Sequence, residues 1–426
     1  MMQRFKSLNI SDTLAVLVIA TLFLKENFNS AALILFSIFF IIQMFRSKKN
    51  GVVNVLKKGG IYLGYFLLAC LGCLLNEESN YDYLTRLLPF VLSLFFIFYF
   101  NNNADKKIII IKVFVISLIV FLLFLDFYAL WDMYKAKSLF VIENGRENYR
   151  FLYTRFTKEY FNHIYLSVYC LFGLVAVFNF AVFQKRILRY IVAAFFLFHI
   201  VIMTSRAVVL AILISAILML IYLSFTNMKY LKYFFIFIGV LGVFSAIVYQ
   251  RKDSVLFNRY SQLFHWYQNR DLLLQRDYSI NNRAKLYIVG YSMFKDGERY
   301  GINGTGLASD EIKKKYLEDY KAVFSFKTDT YNPHNQFITN FIDWGILGLL
   351  LTFIIVITPL IYCVNNKLYW GIFFWLAFIL TLLMESMLIR HRGIVFFIIF
   401  STLYITTITT NEKRNKSLGV NSGPQL

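Results

Sequence analysis

Continuous apolar runs recur along this chain from end to end, at about 12–24, 30–45, 59–75, 84–100, 108–130, 163–183, 187–203, 206–225, 230–249, 336–363, 368–384 and 393–410. A bilayer core of about 30 Å needs roughly 20 apolar residues to cross it as a helix, so runs of this kind read as membrane spans. Inside lipid the backbone must satisfy its own hydrogen bonds, which leaves helices or closed barrels. Barrel strands alternate polar and apolar residues, and these runs do not. Only 16% of residues are charged, against about a quarter in a soluble domain. A soluble enzyme, a disordered hub and a single-span receptor are excluded. The expectation is an all-α polytopic membrane protein of about twelve transmembrane helices, one integral membrane domain over residues 1–426.

Basic residues orient the spans, because connections on the cytoplasmic side collect Lys and Arg. With the N-terminus inside, the inner segments hold nineteen of them, including Lys57, Lys58, Lys106, Lys107, Lys185, Arg186 and Arg189, and the short outer connections hold five. Both termini are then cytoplasmic, and the stretch after Arg4 and Lys6, with no cleavage site behind it, reads as a retained first span. The net charge of +20 reports this orientation and an anionic substrate, not nucleic acid. The largest outer segment is 250–335, between the ninth and tenth spans. It predicts an amphipathic helix through Leu256, Tyr260, Leu263, Phe264 and Tyr267, a second helix over about 283–295, and a charged third after Ser309.

Polar residues at the edges of hydrocarbon are the functional candidates. They gather on the outer side: Arg206 opening the eighth span, Arg86 near the outer end of the fourth, Arg390 and Arg392 before the twelfth, Arg283 opening a loop helix, and His334 with Asn335 just before the tenth. Arginines at span ends also snorkel to headgroups, which is the plainer reading for Arg86, Arg390 and Arg392. The forked guanidinium nevertheless suits phosphate oxygens better than a lysine does. His199 reads as a packed core residue, His163 as structural and His265 as surface. Cys70, Cys73, Cys170 and Cys363 have no metal spacing and read as helix packing. Gly301, Gly304 and Gly306 read as a tight turn, since no Lys-Ser/Thr follows them as in a phosphate loop. No metal-ligand cluster is evident.

The run Pro333-His334-Asn335, followed after nine residues by Gly345-Ile346-Leu347-Gly348, resembles the histidine motif of the O-antigen ligase family. The likeness extends over roughly 155–350: span number, a large outer loop directly before the motif, Ser205-Arg206 opening a span, and Arg283 leading into a loop helix. Asn162-His163 departs from the Asn-Pro-Asn of many relatives, and no function is carried onto it. Physically, an imidazole at the boundary can accept a proton near neutral pH. Gly345 and Gly348, one turn apart, would let another helix approach and hold the histidine's helix.

The resemblance implies a C-type glycosyltransferase-like fold and a metal-independent, inverting transfer without cofactors. Its donor is an undecaprenyl-pyrophosphate-linked glycan and its acceptor the sugar of a lipid A core oligosaccharide. The site would be periplasmic, in the bacterial inner membrane. His334 would be the catalytic base, Arg206 and Arg283 would bind pyrophosphate, and Arg86, Arg390, Arg392 and Asn335 are possible substrate contacts. A polymerase of the same superfamily shares donor and topology. A lipid-linked glycan flippase or transporter would place its charges near the bilayer midplane, at repeat interfaces; here they lie at the outer ends.

Overall fold

A computed structural model describes residues 9–46, 49–75, 82–102, 106–143, 146–149, 154–157, 160–180, 182–203, 205–232, 279–295, 310–321 and 332–417, with short pieces at 235–236 and 239; at several helix ends only the backbone is described. The helices are α1 (Ile10–Thr21), α2 (Glu26–Arg46), α3 (Lys49–Leu75), α4 (Asp82–Leu87), α5 (Pro89–Asn102), α6 (Lys107–Ala136), α7 (Thr154–Thr157), α8 (His163–Asn179), α9 (Arg186–Ile202), α10 (Arg206–Thr226), α11 (Ser279–Lys295), α12 (Asp310–Lys321), α13 (Gln336–Asn365), α14 (Tyr369–Leu382) and α15 (His391–Ser417). Eleven of the twelve apolar runs fall on them. The ninth run lies mostly outside the described residues, as does the amphipathic helix expected over 256–267. Six described helices are long and apolar enough to cross a membrane, namely α2, α3, α4 with α5, α6, α10 and α13, and α1, α8, α14 and the first part of α15 are shorter apolar helices.

Local chemistry sets several of the ends. Asn9 and Asp12 form a capping box at the start of α1, which satisfies amides that the first turn leaves open. Asn162 caps α8 by accepting from the Ile164 amide at 2.8 Å. The fourth apolar run is not one rod. It breaks at Leu88, and α5 restarts at Pro89, where a residue without an N–H costs nothing. After α6 the chain turns through left-handed Lys137 into an antiparallel hairpin, β1 (Phe140–Glu143) with β2 (Arg146–Tyr149), in register Phe140↔Tyr149. That hairpin is the one strand pairing among the described residues.

Packing is centred on α8 and α15. Residues 164–177 of α8 and 393–406 of α15 are buried without a break, the pattern of helices enclosed on all sides. Tyr169 of α8 stacks on Phe396 of α15 at 4.3 Å between ring centres, and Phe172 meets Phe400 at 3.9 Å. The outer helices show one face each: on α2, Ala32, Leu33, Phe36 and Phe40 are buried while Ile34, Leu35, Ile38, Ile41 and Ile42 are exposed. Such an exposed apolar band needs a lipid-like surrounding. His199 is wholly buried, with Nδ1 2.8 Å from the Phe195 carbonyl and Nε2 3.2 Å from both Asp126 oxygens, a hydrogen-bonded core residue as the sequence indicates. Around the centre, α3 and α13 pack together, α10 runs along α14, and α11 docks on α13.

Candidate active site

The His334 segment is built by its neighbours in sequence. Asn332 folds its side-chain oxygen onto the His334 amide at 3.0 Å, the local turn that asparagine favours. His334 itself has φ 51°, a left-handed conformation costing roughly 1 kcal/mol for a residue with a Cβ. Asn335 then caps α13, its oxygen accepting from the amides of Phe337 at 3.0 Å and Ile338 at 3.1 Å. The sequence offers Asn335 as a substrate contact; the structure places that oxygen on the helix end instead. The imidazole is left at the protein's edge, its side chain 36% exposed.

Below it, α13 is not one helix. Trp344 and Gly345 leave helical geometry, Gly345 at φ 65°, ψ −157°, a combination reserved for glycine. The chain doubles back there. Asn340 donates to the hydroxyls of Tyr65 and Thr352, each at 2.5 Å, although Asn340 and Thr352 would be about 18 Å apart along a continuous helix. Gln336 donates to Asn340 at 2.9 Å, and Thr352 to the Gly348 carbonyl at 2.6 Å. Kinked spans persist when side chains take up the freed polar groups. A Cβ on Gly348 would come within 2.6 Å of the Asn340 carbonyl and of Trp344. The two glycines therefore admit the chain's own returning turn, where the sequence suggests the approach of another helix.

The segment before the break meets the connection between α14 and α15. Nδ1 of His334 lies 3.0 Å from Oε2 of Glu385, whose side chain is only 4% exposed. An ionised carboxylate only accepts, so Nδ1 is the donor of this pair, and in a neutral ring the lone pair is then on Nε2. Three further bonds hold this junction: Thr339 to Ser386 between hydroxyls at 2.9 Å, the Leu388 amide to Gln336 at 2.6 Å, and the Tyr165 hydroxyl to the Ser386 carbonyl at 3.3 Å. Glu385 is absent from the sequence-based candidates. Its signal was available, since it is a lone carboxylate between Met384 and Met387 at the end of an apolar run.

The arginines divide. Arg206 is the first residue of α10; Ser205 caps that helix without a side-chain bond to it, and α10 packs along α14, which leads into Glu385. A helix N-terminus beside a guanidinium favours an anion. Arg283 lies on α11, which begins four residues before the expected start, at Ser279; its side chain is outside the described residues. One turn later Tyr287 donates to the Leu383 carbonyl at 3.5 Å, and Val289 and Met293 pack on Ile342, so α11 abuts the same junction. Arg86 closes α4 and Arg390 precedes α15, both exposed. Arg392 differs from the sequence expectation of a substrate contact. Its Nη1 donates to the Tyr160 carbonyl at 2.5 Å, its Nη2 to Leu24 at 2.7 Å, and the guanidinium lies over the Phe161 ring at 4.3 Å. It ties three parts of the chain together.

Residues 191–353 match the O-antigen ligase family. The likeness carried by the His334 motif is thus shown over a stretch that includes Arg206, Arg283, His334, Gly345 and Gly348. Members of that family are glycosyltransferase-like enzymes. Glu385, Arg390 and Arg392 lie beyond the matched stretch. No curated protein matches the chain.

Proposed function

We propose that this protein is a membrane-embedded, metal-independent glycosyltransferase that moves a glycan from undecaprenyl pyrophosphate to a sugar of a lipid A core, with inversion, on the periplasmic face of a bacterial inner membrane. The observation that carries the reading is His334, held left-handed at a span boundary with Nδ1 on buried Glu385. In the proposed reaction Nε2 takes the proton of the acceptor hydroxyl as its oxygen bonds to the anomeric carbon. The bond from that carbon to the pyrophosphate oxygen breaks on the opposite side. Arg206 and Arg283 bind the leaving pyrophosphate and offset its charge, the role that a cation plays in other transferases. Twelve spans, with both termini cytoplasmic and 250–335 periplasmic, complete the reading; the basic residues of the inner connections support it.

The test is transfer by the purified protein from lipid-linked glycan to lipid A core, followed by the mobility of the product. His334→Ala should lower it by about 10²- to 10⁴-fold, the usual contribution of a general base, at unchanged abundance. Near-normal transfer by a well-folded His334→Ala protein would sink the assignment.

A further inference from the structure

A second set of charged groups lies far from His334. Along α6, Phe121 touches Phe161 beside the start of α8, where Tyr165 reaches Ser386. Phe114 meets Phe172 farther along α8, so α6 and α8 run antiparallel. Lys107, at the start of α6, is therefore about 21 Å of helix from the level of Phe161, at the opposite end of the bundle. Its residue is 6% exposed, and its ammonium is buried with no hydrogen-bond partner among the described residues. A buried cation without a partner is strongly unfavourable.

The surroundings make this worse without a ligand. Lys58 is close enough to repel Lys107, and donates to Asn101 at 3.1 Å. Lys106, the N-cap of α6, offers no side-chain bond to the helix end. Asp12, the carboxylate that Lys106 engages, also accepts from the Tyr99 hydroxyl at 3.1 Å. The positive end of the α6 dipole points at the same place. Lysine ammonium and first-turn amides together are a phosphate site in chemistry, and half-buried Lys58 with partly exposed Lys106 open it to the outside.

We propose that Lys58, Lys106, Lys107 and the N-terminus of α6 bind a phosphate group at the end of the bundle opposite His334. The phosphate is that of an anionic lipid headgroup or a free ion. This does not depend on the transfer reaction.

The experiment is thermal unfolding of the full-length protein in nanodiscs of phosphatidylcholine, of phosphatidylcholine with phosphatidylglycerol, and of phosphatidylcholine with added inorganic phosphate. Phosphatidylglycerol should raise Tm if the source is a headgroup, and inorganic phosphate alone should do so if it is a free ion. Lys107→Met should abolish the rise and Lys58→Met should reduce it. In phosphatidylcholine alone, Lys107→Met should melt at or above wild type, because it removes a buried unpaired charge. No rise with either anion, or an equal rise in Lys107→Met, overturns the site. So does a lower Tm of Lys107→Met in phosphatidylcholine alone, which would mean that the protein itself supplies the partner.

Discussion

The Nδ1 of His334 and the Oε2 of Glu385 stand 3.0 Å apart, one at the start of α13 and the other just past the end of α14. The pair joins segments 51 residues apart in sequence, and in the proposed reaction the carboxylate orients the ring so that Nε2 meets the acceptor hydroxyl. Glu385→Gln keeps the shape and removes the charge. Under the proposed reaction it should slow transfer by roughly 10- to 100-fold, as losing the group that orients a working histidine does, with KM little changed. Glu385→Asp should recover part of the rate. Equal turnover in Glu385→Gln and wild type would leave the carboxylate a packing residue.

Gly345 carries a backbone conformation that a Cβ does not tolerate. Gly345→Ala should destabilise the protein by about 1–3 kcal/mol, read as a lower Tm in detergent. Transfer should fall with it, because the same break sets where His334 ends up. A Gly345→Ala protein that melts with wild type would mean that α13 straightens without cost.

Two classes of arginine should separate by readout. Arg206→Lys and Arg283→Lys should keep Tm but lose turnover, since a point charge does not reproduce a fork on pyrophosphate. Arg392→Lys should do the reverse, losing the bonds to Tyr160 and Leu24 at a cost of about 1–3 kcal/mol, with turnover per folded molecule unchanged. Lost turnover at full stability in Arg392→Lys would return it to the substrate.

What the letters convey and what they omit follows from distance in sequence. Helices such as α8 and α15 are legible because their burial is written as uninterrupted apolar residues. Arg206 and His334 stand out because hydrocarbon excludes such groups and each is at the edge of a run, whereas Arg283 stands out only as the opening of a loop helix. The break at Trp344–Gly345 is not, because its polar partners are Tyr65, far upstream, and Thr352 after the fold. The sign of φ at Gly345 has no letter of its own, so two glycines one turn apart look like a helix contact. The contacts of Arg392 are hidden for a related reason: its acceptors are backbone carbonyls of Tyr160 and Leu24, which any residue supplies. Glu385 was visible as a charge in an apolar run, but its meaning required the turn that brings His334 beside it.

Ligase and polymerase share the lipid-linked donor and differ in acceptor. A polymerase holds two pyrophosphate lipids at once, one as donor and one carrying the acceptor glycan, whereas a ligase holds one beside a lipid A core. The sequence offers one best-supported pair of outward arginines for a pyrophosphate, Arg206 and Arg283. The second set that the sequence offers is Arg390 with Arg392, and the Arg392 guanidinium is engaged by Tyr160, Leu24 and Phe161. One pyrophosphate is therefore the better fit, and the ligase is the expected activity. Deleting the gene reads this directly. Loss of a ligase strands fully polymerised glycan on the carrier lipid and leaves lipopolysaccharide without it; loss of a polymerase leaves lipopolysaccharide capped by a single repeat unit. Stranded polymer is the expected result, and single-repeat capping would assign the polymerase reaction and require Arg390 to serve a second pyrophosphate without its neighbour.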